Sequence, residues 1–140
     1  MLGKICTKPV VTASAQMTVE EAARAMRSRN VGALVVVNAG RPIGMLTDRD
    51  VAIEVVAKGM DPDVARVGDV MHKKPITIRE DLGLFDAAKV FARTGVRRLP
   101  VVTKSGVLVG VIAVDDLIML LGNELGHVAG ALSAGLRRAS

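Results

Sequence analysis

Val19, Ala22, Ala23 and Met26 fall on one face of a helix, and Leu84, Ala87, Ala88 and Phe91 repeat that spacing farther along the chain. Charged residues (Glu20, Glu21 and Arg24; Asp86 and Lys89) take intervening positions, so two amphipathic helices are predicted. Each leads, after a short gap, into an apolar run rich in β-branched residues: Leu34-Val35-Val36-Val37, then Leu99-Pro100-Val101-Val102. Turn residues follow at Asn38-Ala39-Gly40-Arg41-Pro42 and at Lys104-Ser105-Gly106. Second strands are predicted at Ile43-Gly44-Met45-Leu46 and Val109-Gly110-Val111-Ile112, with helices after them over 48–58 and 115–121. A short extended piece after a proline opens each series, Pro9-Val10-Val11-Thr12 and Pro75-Ile76-Thr77-Ile78. Gly44 and Gly110 stand one position farther apart than Ala22 and Ala87, so the second hairpin holds one extra residue.

This internal repetition sets the fold class. An α/β chain is predicted, made of two tandem βαββα repeats. A unit of about 60 residues buries only a modest core alone, so the two are expected to pack through their sheets with pseudo-twofold symmetry. That arrangement leaves two equivalent clefts. The repeats are expected over 5–60 and 75–121, with a connector over 61–74 and a helical tail over 122–140. In the tail, Leu125, Val128, Ala129, Leu132 and Leu136 keep helical spacing, which calls for a covering surface, either the chain's own repeat or a second copy.

Composition narrows the function. Half of the residues are hydrophobic, yet there is no Trp, no Tyr and only two Phe, so the core is aliphatic and lacks rings that stack on exposed bases. The net charge of +5 is scattered, richest at Lys73-Lys74, Arg97-Arg98 and Arg137-Arg138, which argues against a nucleic-acid groove. The single Cys6 excludes an intrachain disulfide and suits a reducing compartment. No targeting segment and no apolar run of about 18 residues is apparent, so a cytoplasmic protein with no membrane contact is expected. His72 falls in the connector and His127 in the tail, without Cys or Glu at metal-ligand spacing. Cys6 precedes every predicted element and has no nearby His. Neither a metal site nor a catalytic constellation is expected.

The segment Gly44-Met45-Leu46-Thr47-Asp48-Arg49-Asp50 carries the most chemistry. A strand ends and a helix begins there, with Thr47 at the N-cap. Two readings stand. Thr47 and Asp50 can cap the helix. The same helix start can also present free amides to phosphate, with a carboxylate ready for vicinal ribose hydroxyls.

Together with Asp69-Val70-Met71, Lys74-Pro75-Ile76-Thr77-Ile78, the paired Ala-Ala helices and Arg97-Arg98-Leu99-Pro100-Val101-Val102, this segment resembles the CBS-domain pair, or Bateman module. The resemblance covers residues 5–121. It implies binding of an adenosine compound such as AMP, ADP, ATP or S-adenosylmethionine, with no required cofactor. Carried over to this chain, it implies one furnished cleft: Thr47 and Asp50 facing Ile76, Thr77, Arg97, Arg98 and Pro100, with Met45 against the base. Asp50 would hold ribose, and Arg97 or Arg98 phosphate. The other cleft departs from the pattern. It keeps Asp116 and Val111 but has Ala113 where Thr is expected, and it faces Val31, Gly32 and Ala33, so weaker, different or no binding is expected there. The resemblance further implies a homodimer and an effector protein acted on in trans. A ligand-free interaction module, with Thr47 and Asp50 as caps only, is the rival.

Overall fold

The computed structural model describes residues 1–139. The chain runs through α1 (Leu2–Ile5), β1 (Thr12–Ala13), α2 (Val19–Arg29), β2 (Ala33–Asn38), β3 (Arg41–Thr47) and α3 (Asp48–Asp50), which continues as a π-helical stretch, Val51–Val56. Then come α4 (Val67–Val70), β4 (His72–Lys73), β5 (Ile78–Arg79), α5 (Leu84–Thr94), β6 (Arg98–Val102), β7 (Leu108–Ala113) and α6 (Val114–Ala139). The strands form two small sheets, ordered β1-β2-β3-β4 and β5-β6-β7. Thr7 pairs with Val111 at the free edge of β7, in the place β4 takes beside β3. The fold is the α/β tandem repeat that the sequence predicts.

Local chemistry explains where the two repeat helices stop and start. The Thr18 hydroxyl accepts from the Glu21 amide at 3.1 Å and starts α2. Asn30, in the left-handed region at φ 52°, ends it, and Gly95 does the same for α5 at φ 71°. Their apolar faces pack on the sheets. Ala22 and Met26 meet Leu34, Val36 and Leu46, while Ala87 and Phe91 meet Leu99, Val101 and Ile112. Turns of the two hairpins also touch. The Leu108 amide donates to the Gly40 carbonyl at 2.9 Å, and Arg41 donates to the Ser105 carbonyl.

Three expectations need correction. First, residues 61–74 are more than a connector, because they carry α4 and β4. Val67 is buried in the core of the first repeat, and β4 extends that repeat's sheet. In the matching position ahead of the first repeat, α1 places Leu2 in the core of the second. Each half therefore takes the segment that precedes the other. Cys6 accordingly does not precede the folded body: it lies against β7, where a Cβ on Gly110 would come within 2.3 Å of its Sγ.

Second, the helix expected over 48–58 is α-helical only at its start. The Ala57 amide reaches back to the Ala52 carbonyl, the longer hydrogen bond of a π-helix.

Third, the tail is no separate helix. α6 runs unbroken through Gly122 and leaves the body. Leu125, Val128, Leu132 and Leu136 are each at least 60% exposed, so the stripe does not fold back on its own repeat. By length and composition, α6 also falls among helices that can cross a bilayer. Counting uninterrupted apolar residues missed this, because Gly122-Asn123-Glu124 breaks the run.

Candidate functional site

β3 delivers Thr47 to the mouth of a cleft between the two repeats, and a capping box holds it there. Thr47 Oγ1 accepts from the Asp50 amide at 3.1 Å, and Asp50 Oδ2 accepts from the Thr47 amide at 2.9 Å. The neighbouring amides are also bonded, Asp48 N–H to the Gly32 carbonyl at 2.9 Å and Arg49 N–H to Asp48 Oδ1 at 2.8 Å. Every amide from Thr47 to Asp50 thus already has an acceptor. The free-amide phosphate site expected at this helix start is not formed.

Asp50 is held on both oxygens. It is only 8% exposed, and its Oδ1 lies 2.8 Å from His72 Nε2. His72 sits on β4 directly opposite Met45 of β3, so the carboxylate ties the helix start to the adjoining strand. Gly44 makes this possible. A Cβ there would fall 2.4 Å from Met71 Sδ and 2.9 Å from the His72 carbonyl, so only glycine lets β4 approach so closely.

The cleft encloses about 480 Å³, within the range of small-ligand sites. Met45, Thr47, Asp48 and Arg49 line it from β3 and α3, His72 and Lys73 from the adjoining β4, Lys74, Pro75 and Ile76 from the segment after β4, and Val96, Arg97 and Arg98 from the start of β6. Of the residues assigned from the sequence, Met45, Thr47, Ile76, Arg97 and Arg98 meet in one cavity. Asp50, Thr77 and Pro100 are not on its wall: Asp50 turns to Thr47 and His72, Thr77 is exposed outside it, and Pro100 is buried within β6.

Sequence reasoning left His72, Lys73, Lys74 and Asp48 out of the site. The arrival of His72, Lys73 and Lys74 depends on β4 pairing with β3, a contact between segments that look unrelated along the chain, whereas Asp48 opens α3 directly after Thr47. The isolated glycine inside β3 was the available signal. Lys74 stands at φ 53°, a left-handed conformation that side chains adopt at a cost of roughly 1–2 kcal/mol, and it flanks the cavity.

A second cavity of about 220 Å³ lies across the pseudo-twofold axis. Val31, Gly32, Ala33 and Val111 line it as assigned, joined by Thr7, Pro9, Val10 and Val11. Asp116 does not line it. Its Oδ2 instead accepts from the Ala113 amide at 3.2 Å, half of the capping box of the first repeat.

With the geometry in place, known proteins offer a comparison. A family profile described as CBS domain matches residues 2–57 and 67–123. An uncharacterized protein of Methanopyrus kandleri is 36% identical over 120 residues; the alignment covers 85% of this chain, which spans 61% of that relative's length. A CBS domain protein from Pyrobaculum aerophilum, solved in complex with AMP, matches with a TM-score of 0.75 at 26% identity. That match covers 87% of this chain and 98% of the other. A CBS domain pair solved with 5-methylthioadenosine and S-adenosyl-L-methionine matches with a TM-score of 0.77 at 25% identity, over 89% and 97% of the two chains.

Proposed function

The chain belongs to the CBS-domain family, and on that footing we propose that it is a regulatory module, not an enzyme, that binds an adenosine compound in the cleft between its repeats and acts on a partner protein in trans. One observation carries this reading: Thr47 and Met45 of the first repeat share a ligand-sized cavity with Ile76, Arg97 and Arg98 of the second. Such a ligand bridges the halves, so its binding free energy is available to change how they sit together. The AMP and S-adenosyl-L-methionine complexes of similar proteins support the ligand class.

In this reading Met45 and Ile76 give the base an apolar bed. Arg97 or Arg98 meets phosphate through charge-assisted bonds. Thr47 offers its hydroxyl to phosphate or sugar while keeping its cap. Asp50, bonded to Thr47 and His72 and off the cavity wall, acts by holding the Thr47 hydroxyl and β4 in place for the ligand. Pro100, buried within β6, serves by shaping the strand that carries Arg98.

Thermal unfolding with and without AMP, ATP and S-adenosylmethionine tests the proposal. A ligand at about 100 times its Kd adds roughly 2.7 kcal/mol of stability, and Asp50→Ala removes that gain. No shift with any adenosine compound would leave the rival, a ligand-free interaction module.

The exposed stripe of α6 supports a homodimer. Leu125, Val128, Leu132 and Leu136, all exposed, recur at spacings of three and four, the seam of paired helices. A second copy laid along that seam removes its apolar surface from water. Sedimentation equilibrium checks this: the parent chain is dimeric and Leu132→Glu monomeric. A parent chain that sediments as a monomer contradicts it. The lone Cys6 fits a cytoplasmic setting, which completes the proposal.

A further inference from the structure

The rim of the larger cavity is far more cationic than a monophosphate needs. Arg49, Lys73, Lys74, Arg97 and Arg98 all line it, against the single wall carboxylate of Asp48. Asp115 approaches Arg97 at 3.3 Å, but both side chains are about three-quarters exposed, so this surface pair holds the guanidinium weakly. Among the described residues the other four cations have no ion-pair partner within reach. The amides of the helix start are already bonded within the chain. Negative charge entering the cavity is therefore met by side chains rather than by helix amides, five cationic ones against one carboxylate.

Resting on the reading of this cavity as an adenosine site, we propose that its ligand class is the nucleoside polyphosphate, a di- or triphosphate, in preference to the monophosphate or to a sulfonium such as S-adenosylmethionine. Each further phosphate brings negative charge and acceptor oxygens to the lysine and arginine rim. A sulfonium brings positive charge into a ring of positive charge and is repelled. Lys73 and Lys74 are the discriminating residues, since β4, paired beside β3, and the left-handed residue after it bring them to the cavity that Thr47 also lines.

The test is isothermal titration of the full chain with AMP, ADP, ATP and S-adenosylmethionine, in EDTA so that no divalent cation masks the phosphates. Affinity is expected to rise from AMP through ADP to ATP, at least tenfold overall, with ATP binding falling more steeply with added salt than AMP binding. The double variant Lys73→Ala, Lys74→Ala is expected to bring the ATP-to-AMP affinity ratio toward one. Both side chains are exposed and the β4 backbone pairing survives the change, and an unchanged melting temperature without ligand verifies the fold. AMP or S-adenosylmethionine binding as tightly as ATP overturns the polyphosphate preference while leaving the adenosine reading intact. Failure of all four compounds to bind overturns both.

Discussion

Thr47 and Ala113 occupy the same station in the two repeats, the last residue of a strand that runs directly into a helix, yet they furnish different crevices. At Thr47 the cap is complete, with a hydroxyl and a carboxylate exchanging bonds with the two amides. At Ala113 only the carboxylate half survives. Thr47 shares its cavity with two lysines and three arginines, whereas Ala113 shares its own with Pro9, Val10, Val11, Val31 and Gly32. The cavities differ accordingly, about 480 Å³ against about 220 Å³, and Arg98 is the one charged residue on the smaller wall. The backbone is duplicated and the chemistry is not. A duplicated fold supplies two crevices, and a handful of rim side chains decides which of them can hold a charged ligand.

The contrast can be broken at its scaffold. Gly44→Ala sets a methyl against the His72 carbonyl and Met71, and Gly110→Ala sets one against Cys6 and the Thr7 carbonyl. Each is expected to cost about 1–3 kcal/mol in urea unfolding, as overpacked sites do. Only Gly44→Ala should also weaken nucleotide binding, because β4 carries His72 and Lys73 to the larger cavity. Equal loss of binding from both variants would mean that the two clefts are not separate sites.

A smaller effect sharpens the contrast at the caps. Thr47→Ala removes a working N-cap and is expected to cost about 0.5–2 kcal/mol. Ala113→Thr completes a half-built one, since Asp116 already accepts from the residue 113 amide, and should stabilise the chain by an amount toward the lower end of that range. Urea midpoints measure both changes. A destabilised Ala113→Thr would show that the second helix start differs in backbone geometry as well as in side chain.

Much of this was legible in the residues. The duplicated Ala-Ala helices and glycine-bearing hairpins write the repeat in local patterns, and Met45, Thr47, Ile76, Arg97 and Arg98 do converge on one cavity. The exchange of α1 and α4 between halves was not legible, because four-residue helices carry too little periodicity to show which core receives Leu2 or Val67. The orientation of Asp50 was equally hidden. Its spacing from Thr47 fits capping and ribose binding alike, and what turns it is His72, brought in by a two-residue strand. The reach of α6 was underestimated because Gly122-Asn123-Glu124 interrupts the apolar run, whereas Gly122 is tolerated in the middle of the helix.

Which crevice receives the nucleotide can be read amide by amide. With uniformly ¹⁵N-labelled chain and saturating ATP, the account predicts chemical-shift changes at Thr47, Lys73, Lys74, Ile76, Val96 and Arg97, and none at Val10, Val31 or Gly32. Shifts gathered around Val10, Val31 and Gly32, with Thr47 and Lys74 unmoved, would contradict it.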